Sequence, residues 1–367
     1  MGLSDRTMNL ISSAQRLSTR KQYLGGHILL GQQPRPKGQE HSGRIRILTS
    51  LHYDNRWSYS AINSARSALS NYLSQGTERH TVGTHPLVTK LMRGIFNANP
   101  PKTRYSKIWE VGVVLNMLRS WSPITALSLQ ELTTKMVMLM ALVTAQRVQS
   151  LSKLSLDSLI ISPEKLVFVI QDLIKQNRPG SSGQVFEFMV YPYDERLCIA
   201  RHIQLYIEYT KSIRGQRMVL LISYKKPHKR VTTQTISRWL KYVLKMAGID
   251  TNVFNSHSTR AAATSAAKIL EVPTAQILRM AGWSSERTFQ RFYNNPVFWS
   301  HHRVRKPFYV QQYNLPERLQ GYDFQFKKFI YFFVIPHNSL YKCVLKLLMM
   351  LSPNTQGSCE AWTRSTA

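Results

Sequence analysis

Residues 165–193 read KLVFVIQDLIKQNRPGSSGQVFEFMVYPY, and within them the hydrophobic pattern of the chain changes period. KLVFVIQDL and QVFEFMVYPY are runs rich in β-branched and aromatic residues, separated by the turn-forming Gly, Pro and Ser of IKQNRPGSSG. This pattern predicts an antiparallel hairpin. On either side the spacing is helical. SKIWEVGVVLNMLRSW and SLQELTTKMVMLMALVTAQRVQSLSKL precede the hairpin, and ERLCIARHIQLYIEYTKSI and TTQTISRWLKYVLKMAGI follow it. The second of these is apolar almost all round as far as Arg147, which predicts a buried helix. The expected fold is therefore mainly α with a small antiparallel β-sheet, an α+β arrangement.

Outward from this centre the chain divides by composition. Residues 1–45 are expected to be irregular: STRKQY starts like a capped helix and is interrupted by a Gly-, Pro- and polar-rich stretch over 24–45. Residues 46–102 form a small helical domain, with Ile62, Ala65, Leu69 and Leu73 at helical spacing. A further helix in HPLVTKLMRGIFNANPPKTRY stops at Asn99 and the Pro100-Pro101 pair. Residues 103–310 make a second domain, and 311–367 lack clean caps or periodicity and read as an appended tail.

Charge narrows the partners. The 367-residue chain carries 49 Lys/Arg against 19 Asp/Glu, a net charge of +30. Residues 201–310 hold 19 of these basic side chains and 4 of the acidic ones, half of the whole excess. Such a surface repels itself unless a polyanion neutralises it, so nucleic acid is the leading partner and an anionic membrane surface the rival. The most apolar run, FIYFFVIP at 329–336, is too short to span a bilayer, so no membrane role is expected. Cys198, Cys343 and Cys359 have neither a zinc spacing nor a disulfide framework, which fits a reducing compartment. YKKPHKR at 224–230 suits a nuclear-import signal or a DNA-facing loop equally well.

The chemistry is concentrated in two stretches. In NVFNSHSTRAAATSAAKIL, residues 252–270, His257 and Arg260 stand three apart at the start of an Ala-rich helix capped by Asn255 or Ser256. Free N–H groups, the positive dipole end and a guanidinium together make a natural anion site. Alone, the pair better suits a capped, solvent-facing His and Arg. In EVPTAQILRMAGWSSERTFQRFYNNP a short helix ends at Gly282, Trp283 lies in a tight turn, and Tyr293 falls near the end of the next helix. Alone, that Trp and Tyr suit core aromatics with a polar tip.

The ordered set is more specific than its parts. TAQRVQSLSKL around Arg147, His257-Ser-Thr-Arg260, and AGWSSERTFQRFY with Trp283 and Tyr293 resemble the tyrosine recombinase (phage integrase) family, in its eukaryotic DIRS-like retroelement type. SYSAINSARSALS and HPLV…RGIF resemble that family's core-binding, SAM-like helices, so the resemblance covers roughly residues 45–310.

The resemblance implies a site-specific recombinase or integrase serving a mobile element. Tyr293 would be the nucleophile that attacks a DNA phosphodiester, forming a 3′-phosphotyrosyl link and freeing a 5′-hydroxyl. Arg147 and Arg260 would hold the non-bridging oxygens, for which planar guanidinium forks are suited. His257 would hydrogen-bond the phosphate and assist proton transfer, Trp283 would donate its indole N–H, and Lys175 would be the general acid for the leaving 5′-oxygen. Bond energy is kept in the phosphotyrosyl ester, so no cofactor, metal or nucleotide is required. Double-stranded DNA is the implied partner, with four protomers on paired sites and residues 294–310 a candidate for exchange between neighbours. The implied compartment is the nucleus in a eukaryote and the cytoplasm elsewhere. Ser150 stands where many members carry an acidic residue. Two other readings stay open: a DNA-binding copy that has lost catalysis, and a type IB topoisomerase, which shares the phosphotyrosine chemistry.

Overall fold

The computed structural model describes residues 19, 23, 40–73, 81, 83–101, 104–170 and 184–298. The chain divides into two compact units, with the boundary between Thr103 and Arg104.

In the first unit, α1 (Glu40–Tyr53), α2 (Tyr59–Leu73) and α3 (Pro86–Ala98) enclose Leu48, Leu51, Ile62, Ala65, Leu69, Val88, Met92 and Ile95. Pro86 opens α3 at a position where its missing N–H costs nothing, and Asn99 ends it. α1 begins at Glu40, inside the stretch expected to be a loop. Gly43 and the sparse apolar residues weaken its local signal, but burial of Leu48 and Leu51 against α2 and α3 holds it helical.

In the second unit, β1 (Ile108–Trp109) occupies residues expected to open a helix, and α4 (Val111–Ser120) starts only after Glu110. Ile108 and Trp109 are buried and pair, in parallel, with a strand near the end of the described chain, and that long-range partner outweighs the helical pattern.

α5 (Leu129–Thr144) is the axis of the unit. A capping box fixes its start: the Glu131 N–H donates to Ser128 Oγ at 3.3 Å, and the Ser128 N–H donates to Glu131 Oε2 at 2.9 Å. Every side chain from Leu132 to Thr144 is buried, as its apolar circumference predicts. Its hydroxyls are satisfied within the helix, Thr133 Oγ1 donating to Leu129 O at 2.6 Å and Thr144 Oγ1 to Met140 O at 2.7 Å. The helix does not run on to Arg147. Ala145 takes a left-handed φ of 48°, and α6 (Val148–Leu151) begins afresh with Arg147 as its N-cap.

The sheet follows in the order β2 (Leu159–Ile161), β3 (Lys165–Ile170), β4 (Gln184–Met189), antiparallel throughout. The expected hairpin is β3–β4, with Phe168 opposite Phe186 and Leu166 opposite Phe188. Leu166, Phe168 and Ile170 alternate inward, and the Phe168 and Phe188 rings meet edge-on at 6.0 Å. The edge strand β2 was too short to announce itself in the sequence. α7 (Ile199–Arg214) and α8 (Thr233–Met246) pack on α5, as does the Ala-rich α9 (Ser258–Ile269). α10 (Thr274–Ala281), α11 (Glu286–Phe292) and β5 (Val297–Phe298) complete the described chain, β5 being the partner of β1. Residues 297–298 thus pair within their own chain, while 299–310 and the tail from 311 lie outside the described residues. No described helix is long and apolar enough to cross a membrane.

Two titratable groups are sealed between these helices. Lys135 on α5 is fully buried and donates to Trp121 O at 2.6 Å; burial lowers its pKa to about 8, against the pull of Asp194. His202 on α7 is also fully buried, with Nδ1 2.8 Å from Cys198 O and no partner for Nε2 among the described residues. Burial lowers the His202 pKa to about 4, with the Cys198 carbonyl opposing and the Lys135 charge adding to the fall. The unfolded chain therefore binds a proton that the folded chain refuses between pH 6.5 and 4, and stability falls as pH drops through that window. We expect a loss of up to about 3 kcal/mol there, read from urea midpoints between pH 7 and 4. His202→Gln should flatten this dependence.

Candidate active site

The site forms where three chain segments converge beside α5. The first is the break after α5. Gln146, buried, donates its amide Nε2 to Met280 O on α10 and so fixes the turn that presents Arg147. Arg147 is half-buried, and its Nη1 has no hydrogen-bond partner among the described residues.

The second segment leads into α9. The expected helix cap is modified: helix geometry begins at Ser258, with His257 as the N-cap and no side-chain capping bond. Asn255 closes the turn before it, its Oδ1 accepting from the His257 N–H at 3.0 Å. Ala261, Ala262, Ala263, Ala266 and Ala267 let α9 lie close against α5, and this sets Arg260 deep in the unit at 2% exposure. One guanidinium nitrogen of Arg260, Nη2, donates to Ala281 O at 2.6 Å, while Nε and Nη1 have no partner among the described residues. Burial, with a smaller contribution from the nearby Arg147 charge and against the opposing pull of Tyr293, lowers the Arg260 pKa to about 9. Arg260 remains a cation at neutral pH.

The third segment runs from α10 to β5. Gly282 ends α10 at φ 66°, a conformation that a side chain would strain, and the Trp283 N–H bonds back to Leu278 O at 2.8 Å. This turn lays the Trp283 ring over Arg260, with Cζ 4.2 Å from the ring centroid. Trp283 is buried, and its indole Nε1 is also without a partner among the described residues. Tyr293 caps the C-terminal end of α11, its ring 4.3 Å from that of Trp283 and 5.4 Å from Arg260 Cζ. Its hydroxyl lies 3.1 Å from His257 Nε2.

Four of the six expected site residues, His257, Arg260, Trp283 and Tyr293, are therefore in direct contact, and Arg147 is close enough to Arg260 to shift its ionisation. Lys175 lies outside the described residues. Residues that support the site were missed. Ser265 on α9 donates to Tyr293 O at 2.7 Å and accepts from the Asn295 N–H at 3.0 Å. Two hydroxyls inside the alanine run, Thr264 and Ser265, were the available signal. Gln146 carried none, because its partner, Met280 O, is remote in sequence. No group of three His, Cys, Asp or Glu side chains among the described residues is placed to hold a metal ion.

Buried N–H groups left unpaired are costly, and four of them, on Arg147, Arg260 and Trp283, gather beside a tyrosine hydroxyl. A tetrahedral oxyanion is the ligand that satisfies such a set, because it offers several acceptors and a compensating charge.

The class of domain follows from comparison with known proteins. Residues 123–297 match the phage integrase family. The fold is that of a tyrosine recombinase catalytic domain. Among solved structures, the Tn1549 transposon integrase in complex with transposon right-end DNA aligns with a TM-score of 0.51 at 13% identity, covering 76% of this chain and 90% of that one. A lambda integrase tetramer bound to a Holliday junction aligns with a TM-score of 0.50 at 15% identity, covering 82% and 79%. No curated protein matches the chain.

The buried Arg260 predicts a trade of stability against ligand binding. Replacing a desolvated guanidinium with unpaired N–H groups by an apolar side chain of similar length removes a buried, like-charge-repelled cation. Arg260→Met should therefore raise the urea midpoint at low salt, by about 1–3 kcal/mol of stability. The same variant should lose any stabilisation by added inorganic oxyanions such as sulfate.

Proposed function

We propose that this chain breaks and rejoins duplex DNA through a covalent 3′-phosphotyrosyl intermediate. The observation that carries the reading is the 3.1 Å contact between His257 Nε2 and the Tyr293 hydroxyl, set beside the unpartnered donors of Arg147, Arg260 and Trp283. A nucleophile, a proton-transfer group and oxyanion donors are the three parts that phosphoryl transfer to a side chain requires.

In this reading the Tyr293 oxygen forms a bond to phosphorus as the bond from phosphorus to the 5′-oxygen breaks. The phenolic proton passes towards His257. Guanidinium forks of Arg147 and Arg260 hold the non-bridging oxygens, and the Trp283 indole N–H adds a further donor as charge builds there. Lys175 protonates the leaving 5′-oxygen, a role carried by the sequence resemblance alone. Rejoining is the reverse, a 5′-hydroxyl displacing Tyr293. One phosphodiester is exchanged for another ester, so the cycle consumes no high-energy cofactor.

Residues 46–102 would be the core-binding part, and phosphate contacts would dominate affinity for the duplex. The net charge of +30 supports this. The two structural relatives, one bound to transposon-end DNA and one a tetramer on a Holliday junction, support action on paired DNA sites by four protomers. The sequence motifs favour a mobile element of the DIRS-like type as the setting, and the nucleus as the place of action.

A nicked suicide duplex carrying the element's own termini tests the reading. We expect a denaturant-resistant protein–DNA adduct that disappears in Tyr293→Phe, and a fall of roughly 10²–10³ in cleavage rate for Arg147→Ala. Tight binding with no adduct would leave only a DNA-binding role. Supercoil relaxation without site preference would assign the chemistry to a topoisomerase. Binding should weaken steeply with salt, log K falling linearly with log salt concentration.

A further inference from the structure

We propose that residues 105–109 form one brace that holds the His257 loop and the Tyr293 arm in register, with Trp109 and Tyr105 as positioning residues. Its consequence for rate rests on the cleavage reading above; its geometry does not.

His257 and Tyr293 stand on different segments, and one tie between them is Ser265 of α9, which donates to Tyr293 O at 2.7 Å. His257 precedes α9, whereas Tyr293 ends α11, and their side chains meet across 36 positions of sequence. Neither residue sits inside a helix that could fix it. Both segments are instead fastened to the same short stretch. On the His257 side, the buried Trp109 indole Nε1 donates to Ser258 Oγ at 2.8 Å, and Ser258 Oγ in turn donates to Asn255 O at 2.7 Å. The Tyr105 hydroxyl donates at 3.2 Å to Asn255 Oδ1, the same oxygen that accepts from the His257 N–H. The Tyr105 ring packs on Phe254 at 5.4 Å. Both neighbours of the loop are thereby pinned.

On the Tyr293 side, the Ile108 N–H donates to Pro296 O at 2.8 Å, and β1 pairs with β5 through Ile108–Val297 and Trp109–Phe298. The strand faces two ways: its backbone pairs with the Tyr293 arm, and the Trp109 side chain reaches the His257 loop. A strand of two residues has little stability of its own, so its value lies in what it ties together. Productive geometry is demanding, a misplacement of about 1 Å costing on the order of a hundred-fold in rate. A shared strut keeps the two groups matched even when the surroundings shift. Arg104 is the first residue of the second unit, so the brace stands directly after the connection to the first.

Trp109→Phe keeps the buried ring and deletes the N–H donor. By hydrogen exchange and mass spectrometry of the full chain, we expect faster exchange in peptides over 252–260 and over 293–298, with α5 unchanged. On the suicide duplex the single-turnover cleavage rate should fall about ten-fold while DNA affinity stays the same, a split that general loss of folding would not give. Tyr105→Phe should act in the same direction, and it decides the question if Trp109→Phe also loosens α5. Faster exchange confined to 252–260, or unchanged exchange in both peptides, overturns the brace. Equal losses of affinity and rate overturn the positioning role. If the native protein forms no adduct, the cleavage reading falls and the exchange result still decides the brace.

Discussion

A guanidinium buried to 2% exposure is the constraint around which the second unit is built. Arg260 can remain charged at that depth only because its surroundings compensate in several ways. Alanines bring α9 close to α5, the carbonyl of Ala281 accepts one N–H, and the face of Trp283 covers the cation at 4.2 Å. These compensations are incomplete. Two N–H groups stay unpaired and the like charge of Arg147 lies near, so the folded chain carries an electrostatic debt at this point. An enzyme that must stabilise developing negative charge gains from such an arrangement, because donors already desolvated and oriented need no reorganisation when that charge appears.

The supports differ in stiffness, and the difference follows the chemistry. Arg260 rises from the first turn of a helix packed on the central α5, and Trp283 is held by a glycine-terminated helix end. Both are fixed by burial. His257 and Tyr293 stand at helix ends, less buried, where a substrate can reach them. Their positions depend on discrete polar ties: Asn255 to the His257 N–H, Ser265 to the Tyr293 carbonyl, and the β1–β5 pair. In the proposed reaction the groups that would bind charge are set in the core, and those that would move a proton or form a bond are set on tethers.

Local pattern made the helices and the hairpin legible. The apolar circumference of α5, the alternation of Leu166, Phe168 and Ile170, and the Gly282 stop each follow from periods of a few residues. The candidate site residues formed an ordered series in the sequence, although no member stood out alone, and four of the six meet in the fold. What the sequence hid depends on contacts between distant residues. Ile108 and Trp109 read as the start of a helix because their strand partners come nearly 190 positions later. Arg147 read as the end of a helix because nothing local announces a left-handed Ala145; the Gln146 bond to Met280 O is one of the contacts around that break. α1 was missed for the complementary reason, since its helicity depends on packing against α2 and α3 more than on its own propensities.

Such errors share a physical origin that bears on the site itself. Secondary structure fails to follow local propensity where tertiary contacts override it, and in this chain two of the three failures lie beside catalytic candidates. The left-handed break after α5 turns Arg147 towards Arg260, where a continued helix would have carried it elsewhere along the axis. The strand at 108–109 exists to meet 297–298, and in doing so it ties down the arm that bears Tyr293. Each departure from local preference has a cost, met by the packing of the unit as a whole. Two of them lie beside the same cluster of unpartnered donors, those of Arg147, Arg260 and Trp283.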